Sequence, residues 1–173
     1  RPADEYTAAA VIGRDPSPFL QYIIIDHGSD DGIRYGMPVV TQQGLVGRIE
    51  AVTASAARVQ LISDAQSSVN VSLQTQNADA LVQGSISGDM TLEMLAQNVS
   101  LNNGDILLTS GLGGNYPADI LVGQVVDIQK TENELFQTAY VQAMVDFETL
   151  RAVLVITNFQ TTNIAPLTNE TTR

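Results

Sequence analysis

The sequence predicts an all-β protein built as two similar small β-domains, and three observations carry that prediction. The first is a recurrence. Residues 104–128 read Gly-Asp-Ile-Leu-Leu-Thr-Ser-Gly-Leu-Gly-Gly-Asn-Tyr-Pro-Ala-Asp-Ile-Leu-Val-Gly-Gln-Val-Val-Asp-Ile, two strands at 106–109 and 120–128 joined by a glycine loop. From Gly36 a simpler version reads Gly-Met-Pro-Val-Val-Thr-Gln-Gln-Gly-Leu-Val-Gly-Arg-Ile-Glu-Ala-Val, with strands at 39–41 and 45–52 around the turn 42–44. Each hairpin ends in an apolar-Val-Gly-x-apolar strand, and a further strand closing on aspartate follows it. That strand is Arg58-Val59-Gln60-Leu61-Ile62-Ser63-Asp64 in the first copy and Tyr140-Val141-Gln142-Ala143-Met144-Val145-Asp146 in the second. Two copies fall short of the roughly three or more repeats that a solenoid needs to bury a continuous core. The second observation is composition: Val, Ile, Thr and Gly are plentiful and evenly spread, and Lys130 is the only lysine. The third is periodicity, since no stretch sustains a helical repeat of apolar residues.

Taken in order, residues 1–7 are short and polar and are expected to fray. A first strand begins at 8–13. Asp15-Pro16-Ser17-Pro18 breaks it, because each proline restrains itself and its predecessor. Residues 22–26 form an apolar run ending in a charge, and 27–36 are dense in turn residues. The first hairpin, a strand at 58–63 and an alternating strand at 69–73 complete about six strands. Polar residues 76–79 are the best linker candidate. Beyond them, 80–86 and 90–95 make a hairpin around Ser87-Gly88-Asp89, and Asn102-Asn103-Gly104-Asp105 is a strong turn. The second hairpin follows, then one around Thr131-Glu132-Asn133-Glu134 with a return strand at 136–147. Residues 146–150 can hold a single helical turn, and 152–157 are a last apolar strand. The expected partition is therefore a first domain at 8–75, a second at 76–157, and a disordered Thr- and Asn-rich tail at 158–173.

Composition excludes several functions. Nineteen acidic residues oppose eight basic ones, a formal charge of −11, so no Lys/Arg footprint for nucleic acid exists and adhesion to an anionic membrane surface is disfavoured. With no cysteine there are neither disulfides nor cysteine–zinc sites. No run of about 18 apolar residues is present to span a bilayer. No signal peptide is visible, and the opening on Arg1 rather than Met reads as a trimmed piece whose targeting or anchoring segment lies elsewhere.

Candidate chemistry is sparse. Asp26-His27-Gly28-Ser29 sets three catalytic residue types side by side, and Ser110 is another serine. A triad, however, needs its members to converge in space, whereas neighbours on a strand point to opposite faces. Asp26, Asp30 and Asp31 lack the alternating ligands and closing glutamate of a calcium loop. Gly111-Leu112-Gly113-Gly114 matches neither phosphate-binding glycine pattern and precedes no helix. Asn70, Asn98 and Asn169 sit in Asn-x-Ser/Thr sequons, which matter only where the source glycosylates. Leu112, Tyr116 and Ile120 either rim the loop outwardly or fold inward to cap their own domain, the inward reading fitting Ile120 better. No catalytic, cofactor or metal residue is assigned. The loop Gly111, Leu112, Gly113, Gly114, Asn115, Tyr116 and Pro117 is the candidate contact site for a partner.

Several motifs in order resemble the extracytoplasmic β-domain of the bacterial rod shape-determining family MreC. They are Val11-Ile12-Gly13-Arg14-Asp15-Pro16-Ser17-Pro18-Phe19, Asp26-His27-Gly28-Ser29-Asp30-Asp31-Gly32-Ile33, Gly36-Met37-Pro38-Val39-Val40, Gly44-Leu45-Val46-Gly47-Arg48, Ile62-Ser63-Asp64, and Thr109-Ser110-Gly111-Leu112-Gly113-Gly114 with Pro117 and Val122-Gly123. The resemblance covers about residues 8–158. The chain departs from the family's pattern at Tyr116, often Phe there, at Asp119, often Gly, and at Leu121, often Pro. It implies two six-stranded β-barrel subdomains in a chymotrypsin-like arrangement without the catalytic residues, and no cofactor. It implies a membrane helix and a coiled coil ahead of this domain, at the inner membrane with the domain on the periplasmic side. It also implies a scaffold that self-associates as a dimer or filament and engages MreD, the RodA polymerase, the elongation transpeptidase and MreB. Two alternatives remain open at this point: a protease-like hydrolase on paired barrels, which needs His27 bonded to an acid and a serine, and a module binding cell-wall fragments, which needs a pocket lined by Tyr22, Tyr35 or Tyr116.

Overall fold

The computed structural model describes residues 4–14 and 19–168. The proline breaker at 15–18, the residues 1–3 and the sequon at Asn169 lie outside the described residues. Twelve strands form two closed antiparallel barrels. The first barrel contains β1 (Tyr6–Arg14), β2 (Tyr22–Ile25), β3 (Pro38–Val40), β4 (Leu45–Val52), β5 (Ala57–Leu61) and β12 (Ala152–Ile156), in the spatial order β1-β12-β3-β4-β5-β2. The second contains β6 (Ser68–Leu73), β7 (Asp79–Gln83), β8 (Met90–Ala96), β9 (Ile106–Thr109), β10 (Leu121–Gln129) and β11 (Phe136–Ala143), in the order β10-β11-β8-β7-β6-β9.

The two orders are the same once β12 stands in the first barrel where β6 stands in the second. β12-β1-β2 then matches β6-β7-β8, and β3-β4-β5 matches β9-β10-β11. The sequence repeat is therefore a repeat of position, down to the register. Gly47 faces Leu61 and Ile49 faces Val59 in one barrel; Gly123 faces Ala143 and Val125 faces Val141 in the other. Both glycines sit where strands cross closely. A Cβ on Gly47 would lie 1.8 Å from the Gln60 carbonyl oxygen, and one on Gly123 would lie 2.5 Å from that of Gln142. A side chain at either place would enter its partner's backbone, which is the physical reason the Val-Gly pair recurs.

Two boundaries differ from the sequence expectation. Ser68–Leu73 was expected in the first domain and is β6 of the second barrel, pairing with β7 and β9. Ala152–Ile156 was expected in the second and is β12, which closes the first barrel between β1 and β3. Alternation identifies a strand and its buried face but not its partner, and here the partners of β12 lie more than a hundred residues away. Tyr6 and Thr7, expected to fray, pair with Ile156 and Val155. The return strand expected at 136–147 ends at Ala143, and a 3-10 turn at Phe147–Thr149 follows, capped by the Asp146 carboxylate accepting from the Glu148 amide.

Each barrel is filled by inward-facing β-branched and leucine side chains. Ile23, Ile25, Val59 and Val155 fill the first, and Val71, Val82, Leu92 and Leu107 fill the second. Val40, Leu45, Ile62 and Ile156, from the first barrel and the segment leaving it, pack into the second barrel's cluster, so the barrels share an apolar wall. Closure also leaves no free sheet edge among the described strands. Every one of the twelve described strands has a neighbour on both sides.

Candidate functional site

The glycine loop leaves β9 at Thr109, whose side chain is fully buried and anchors both ends of the loop. Its hydroxyl donates to the Pro117 carbonyl at 2.7 Å and accepts from the Ile120 amide at 2.9 Å. Gly111, Gly113 and Gly114 take φ of +82, +83 and +75°, a region open to glycine and strained for other residues. Asn70 of β6 braces the loop from beside it, donating to the Leu112 carbonyl at 3.2 Å. A Cβ on Gly113 would come 2.8 Å from that Asn70 amide nitrogen.

The loop is held at the barrel junction. Tyr116 and Pro117 are buried, Ile120 folds inward, and Leu112 alone of the apolar loop residues is exposed, at 54%. Burial pushes the Tyr116 phenol up to about 12, against an opposing pull from Arg48 of β4 in the other barrel. The segment after β12 then crosses the same junction. The Thr162 amide donates to the Gly114 carbonyl at 2.9 Å, and the Thr161 hydroxyl donates to the Gly36 carbonyl at 3.3 Å. Phe159 packs on the shared apolar cluster, and residues 165–168 form a short helix, α1 (Ala165–Thr168). Residues 158–168 are therefore structured, contrary to the disordered tail expected from their polarity. Their anchorage is one backbone amide and one hydroxyl against glycine carbonyls, which composition does not register. Asn70 and Thr162 were missed for the same reason.

Asp119 closes the loop at φ +70°. A left-handed backbone of this kind is one that glycine adopts at less cost than aspartate.

The remaining sequence candidates stay apart. Among the described residues His27 bonds Asp26, Nδ1 to Oδ1 at 2.8 Å, and no serine or threonine hydroxyl joins the pair. The Asp26 carboxylate also accepts from the Ala10 amide at 2.9 Å, and that bond first, then His27, holds its pKa below the ordinary value. Asp31 accepts from the Gly28 amide at 3.1 Å in a 3-10 turn at Ser29–Asp31 that ends on left-handed Gly32, so this aspartate shapes a turn. Among the described residues no group of three His, Asp or Glu side chains is placed to hold a metal ion. Tyr22, Tyr35 and Tyr116 are engaged separately: Arg48 lies over Tyr35 at 5.8 Å, Arg58 over Tyr22 at 5.2 Å, and Tyr116 is buried. The hollows of about 640 Å³ beside Thr41 and Leu154 and about 700 Å³ between Gln21 and Phe147 are lined by none of the three. Among the described residues no helix is long and apolar enough to cross a membrane.

Comparison with known proteins places this architecture. Residues 11–157 match the family model for rod shape-determining protein MreC, barrel core. The cell shape-determining protein MreC of Listeria monocytogenes is 33% identical over 153 residues, covering 86% of this chain and 52% of that protein, so the chain spans about half its relative's length. The crystal structure of MreC from Pseudomonas aeruginosa superposes with a TM-score of 0.84 at 31% identity, over 88% of this chain and 99% of that one. A chain of the complex between penicillin-binding protein PBP2 and MreC from Helicobacter pylori superposes at 0.66 with 15% identity, covering 90% of this chain and 99% of that one, a likeness of fold alone. A match running through both barrels, with relatives above 30% identity in sequence and in structure, leaves one conclusion: this chain belongs to the MreC family of rod shape-determining proteins, of which it carries the barrel core.

Proposed function

We propose that this chain is the extracytoplasmic domain of a cell-shape scaffold, which binds and organises the proteins of cell-wall elongation and itself catalyses nothing. The observation that carries the reading is the family match across both barrels, residues 11–157. Its first partner is a penicillin-binding transpeptidase, by analogy with the Helicobacter pylori complex. The RodA polymerase, MreD, MreB and further copies of the chain complete the assembly. The domain works on the periplasmic side of the inner membrane, anchored through a membrane helix outside this sequence.

The physics of such a role is selective contact. A scaffold that binds one conformation of an enzyme better than another shifts the enzyme towards it, by no more than the difference in affinity. Closed barrels offer no strand edge for a partner to extend, so recognition falls to outward side chains and loop tips. Within the glycine loop, Leu112 is the contact residue. Gly111, Gly113, Gly114, Asn115, Tyr116 and Pro117 set its position.

The test is binding of the purified chain to the extracytoplasmic region of the cognate transpeptidase, alongside an assay for hydrolysis of peptide and peptidoglycan substrates. Saturable binding without turnover is expected. Turnover lost in a His27→Ala variant, or no association at high micromolar concentration with full-length membrane-anchored protein, would overturn the reading.

A further inference from the structure

The two barrels have matching strands, so the same outer face can be compared twice in one molecule. In the first barrel this face carries Arg58 on β5 and Glu50 on β4. Their side chains meet at 2.8 Å, and the guanidinium lies over Tyr22 at 5.2 Å. The repeat register puts Tyr140 at the position of Arg58 and Val126 at that of Glu50. The face is thus closed on itself in one barrel and apolar in the other.

Apolar side chains recur along this face, with Thr138 standing between two of them on β11. Phe136 and Tyr140 point outward along β11, each 43% exposed, opposite Ala96 and Thr91 of β8. Between those pairs β8 bulges, and Met94 takes φ +63° and stands 58% exposed. Leu135, at 81% the most exposed apolar residue of this barrel, continues the row beyond Phe136. Val126 and Tyr140 line a hollow of about 550 Å³ at the other end.

Charge indicates what covers it. Residues 68–143 carry eight acidic side chains and the single Lys130, whereas residues 6–61 with 152–156 carry five acidic and four basic. Asp89, Asp127, Glu132 and Glu134 frame the apolar row, all exposed. Acidic framing repels nucleic acid and anionic lipid and favours a basic protein surface. We propose that the outer face of β8, β10 and β11 is the docking surface for a protein partner that presents apolar side chains ringed by Lys and Arg. The proposal rests on the scaffold reading above and takes the transpeptidase as that partner.

The experiment compares binding of the wild-type chain to the cognate transpeptidase with three variants: Met94→Glu with Tyr140→Glu, Glu132→Lys with Glu134→Lys, and Tyr35→Ser on the first barrel as control. The expected result is at least tenfold weaker binding for the first two, a flatter salt dependence for the charge reversal, and no change for the control. All are surface positions, and unchanged thermal melting shows the variants are folded. Wild-type binding that survives both patch variants overturns this inference and leaves the scaffold reading standing. Wild-type failure to bind sinks the transpeptidase reading, and the face is then decided by a synthetic peptide alternating Lys with Leu and Phe. Amide shifts confined to β8, β10 and β11 support the surface; shifts elsewhere, or none, overturn it. A wild-type chain that dimerises alone and is dispersed by the same variants makes the occupant a second copy, which also overturns it.

Discussion

The two barrels are one plan executed twice, and their differences separate what the fold requires from what is free to serve recognition. Topology and register are shared, and so is the close crossing at Gly47 and Gly123. Loop length, surface charge and the source of one strand are not. The first hairpin turns through four residues, Thr41, Gln42, Gln43 and Gly44, whereas the second inserts a shaped loop over residues 110–120. The first barrel borrows β12 from the far end of the chain, so neither barrel can be cut out at a single point in sequence. Seven of the eleven net negative charges lie in residues 68–143, the second barrel, and one in the first. What packs is repeated. What faces solvent has diverged.

The comparison is broken most severely at its crossing glycines. Gly47→Ala is expected to destabilise the chain by more than ~3 kcal/mol, because the new methyl meets a carbonyl held by two strands, while the looser crossing at Gly123→Ala costs about 1–3 kcal/mol. Urea unfolding monitored by circular dichroism measures both, and equal losses would show that the crossings are not the constraint described.

The loop anchors come next. Thr109→Val strands the Ile120 amide and the Pro117 carbonyl in a buried site, a loss of about 1–3 kcal/mol. Its counterpart Thr41 is less buried and bonds the Gln43 amide and side chain, so Thr41→Val should cost less than ~1 kcal/mol by the same measurement.

Tyr116 sharpens the contrast through pH. The unfolded phenol ionises near 10.0 and the folded one near 12, so the unfolded state releases its proton first and stability falls as pH rises between those values. The loss is of order 1–3 kcal/mol. Denaturation midpoints at pH 9 and pH 11.5 should converge for Tyr116→Phe relative to wild type; an unchanged pH slope in that variant would contradict the assignment. Smallest is Asp119→Gly, which relieves a left-handed backbone and should stabilise by about 0.5–1 kcal/mol, read as a rise in melting temperature.

Much of this was legible in the residues. The repeat was visible because Val-Gly spacing and turn glycines answer to local geometry, and the structure sets the two copies in equivalent places. The family followed from motifs in order. Strand exchange was not legible: Ala152–Ile156 reads as a buried strand in either barrel, since period-two alternation is blind to which neighbour supplies the hydrogen bonds. Nor was the anchored C-terminal segment, whose contacts are an amide and a hydroxyl on glycine carbonyls. The glycine loop stands out in the sequence, but its membership of the barrel junction depends on Arg48, Thr161 and Thr162, distant in sequence. The acidic excess was countable from the start. Its concentration on one barrel, around an apolar row, needed the strand register.

As proposed, this chain acts by contact, through the face on which its two barrels differ most. Amide hydrogen exchange of the chain, free and saturated with the cognate transpeptidase, tests it directly. Protection gained along β8, β10 and β11, with the first barrel's β4–β5 face unchanged, is the predicted result. Protection confined to the first barrel, or no change at saturation, would contradict it.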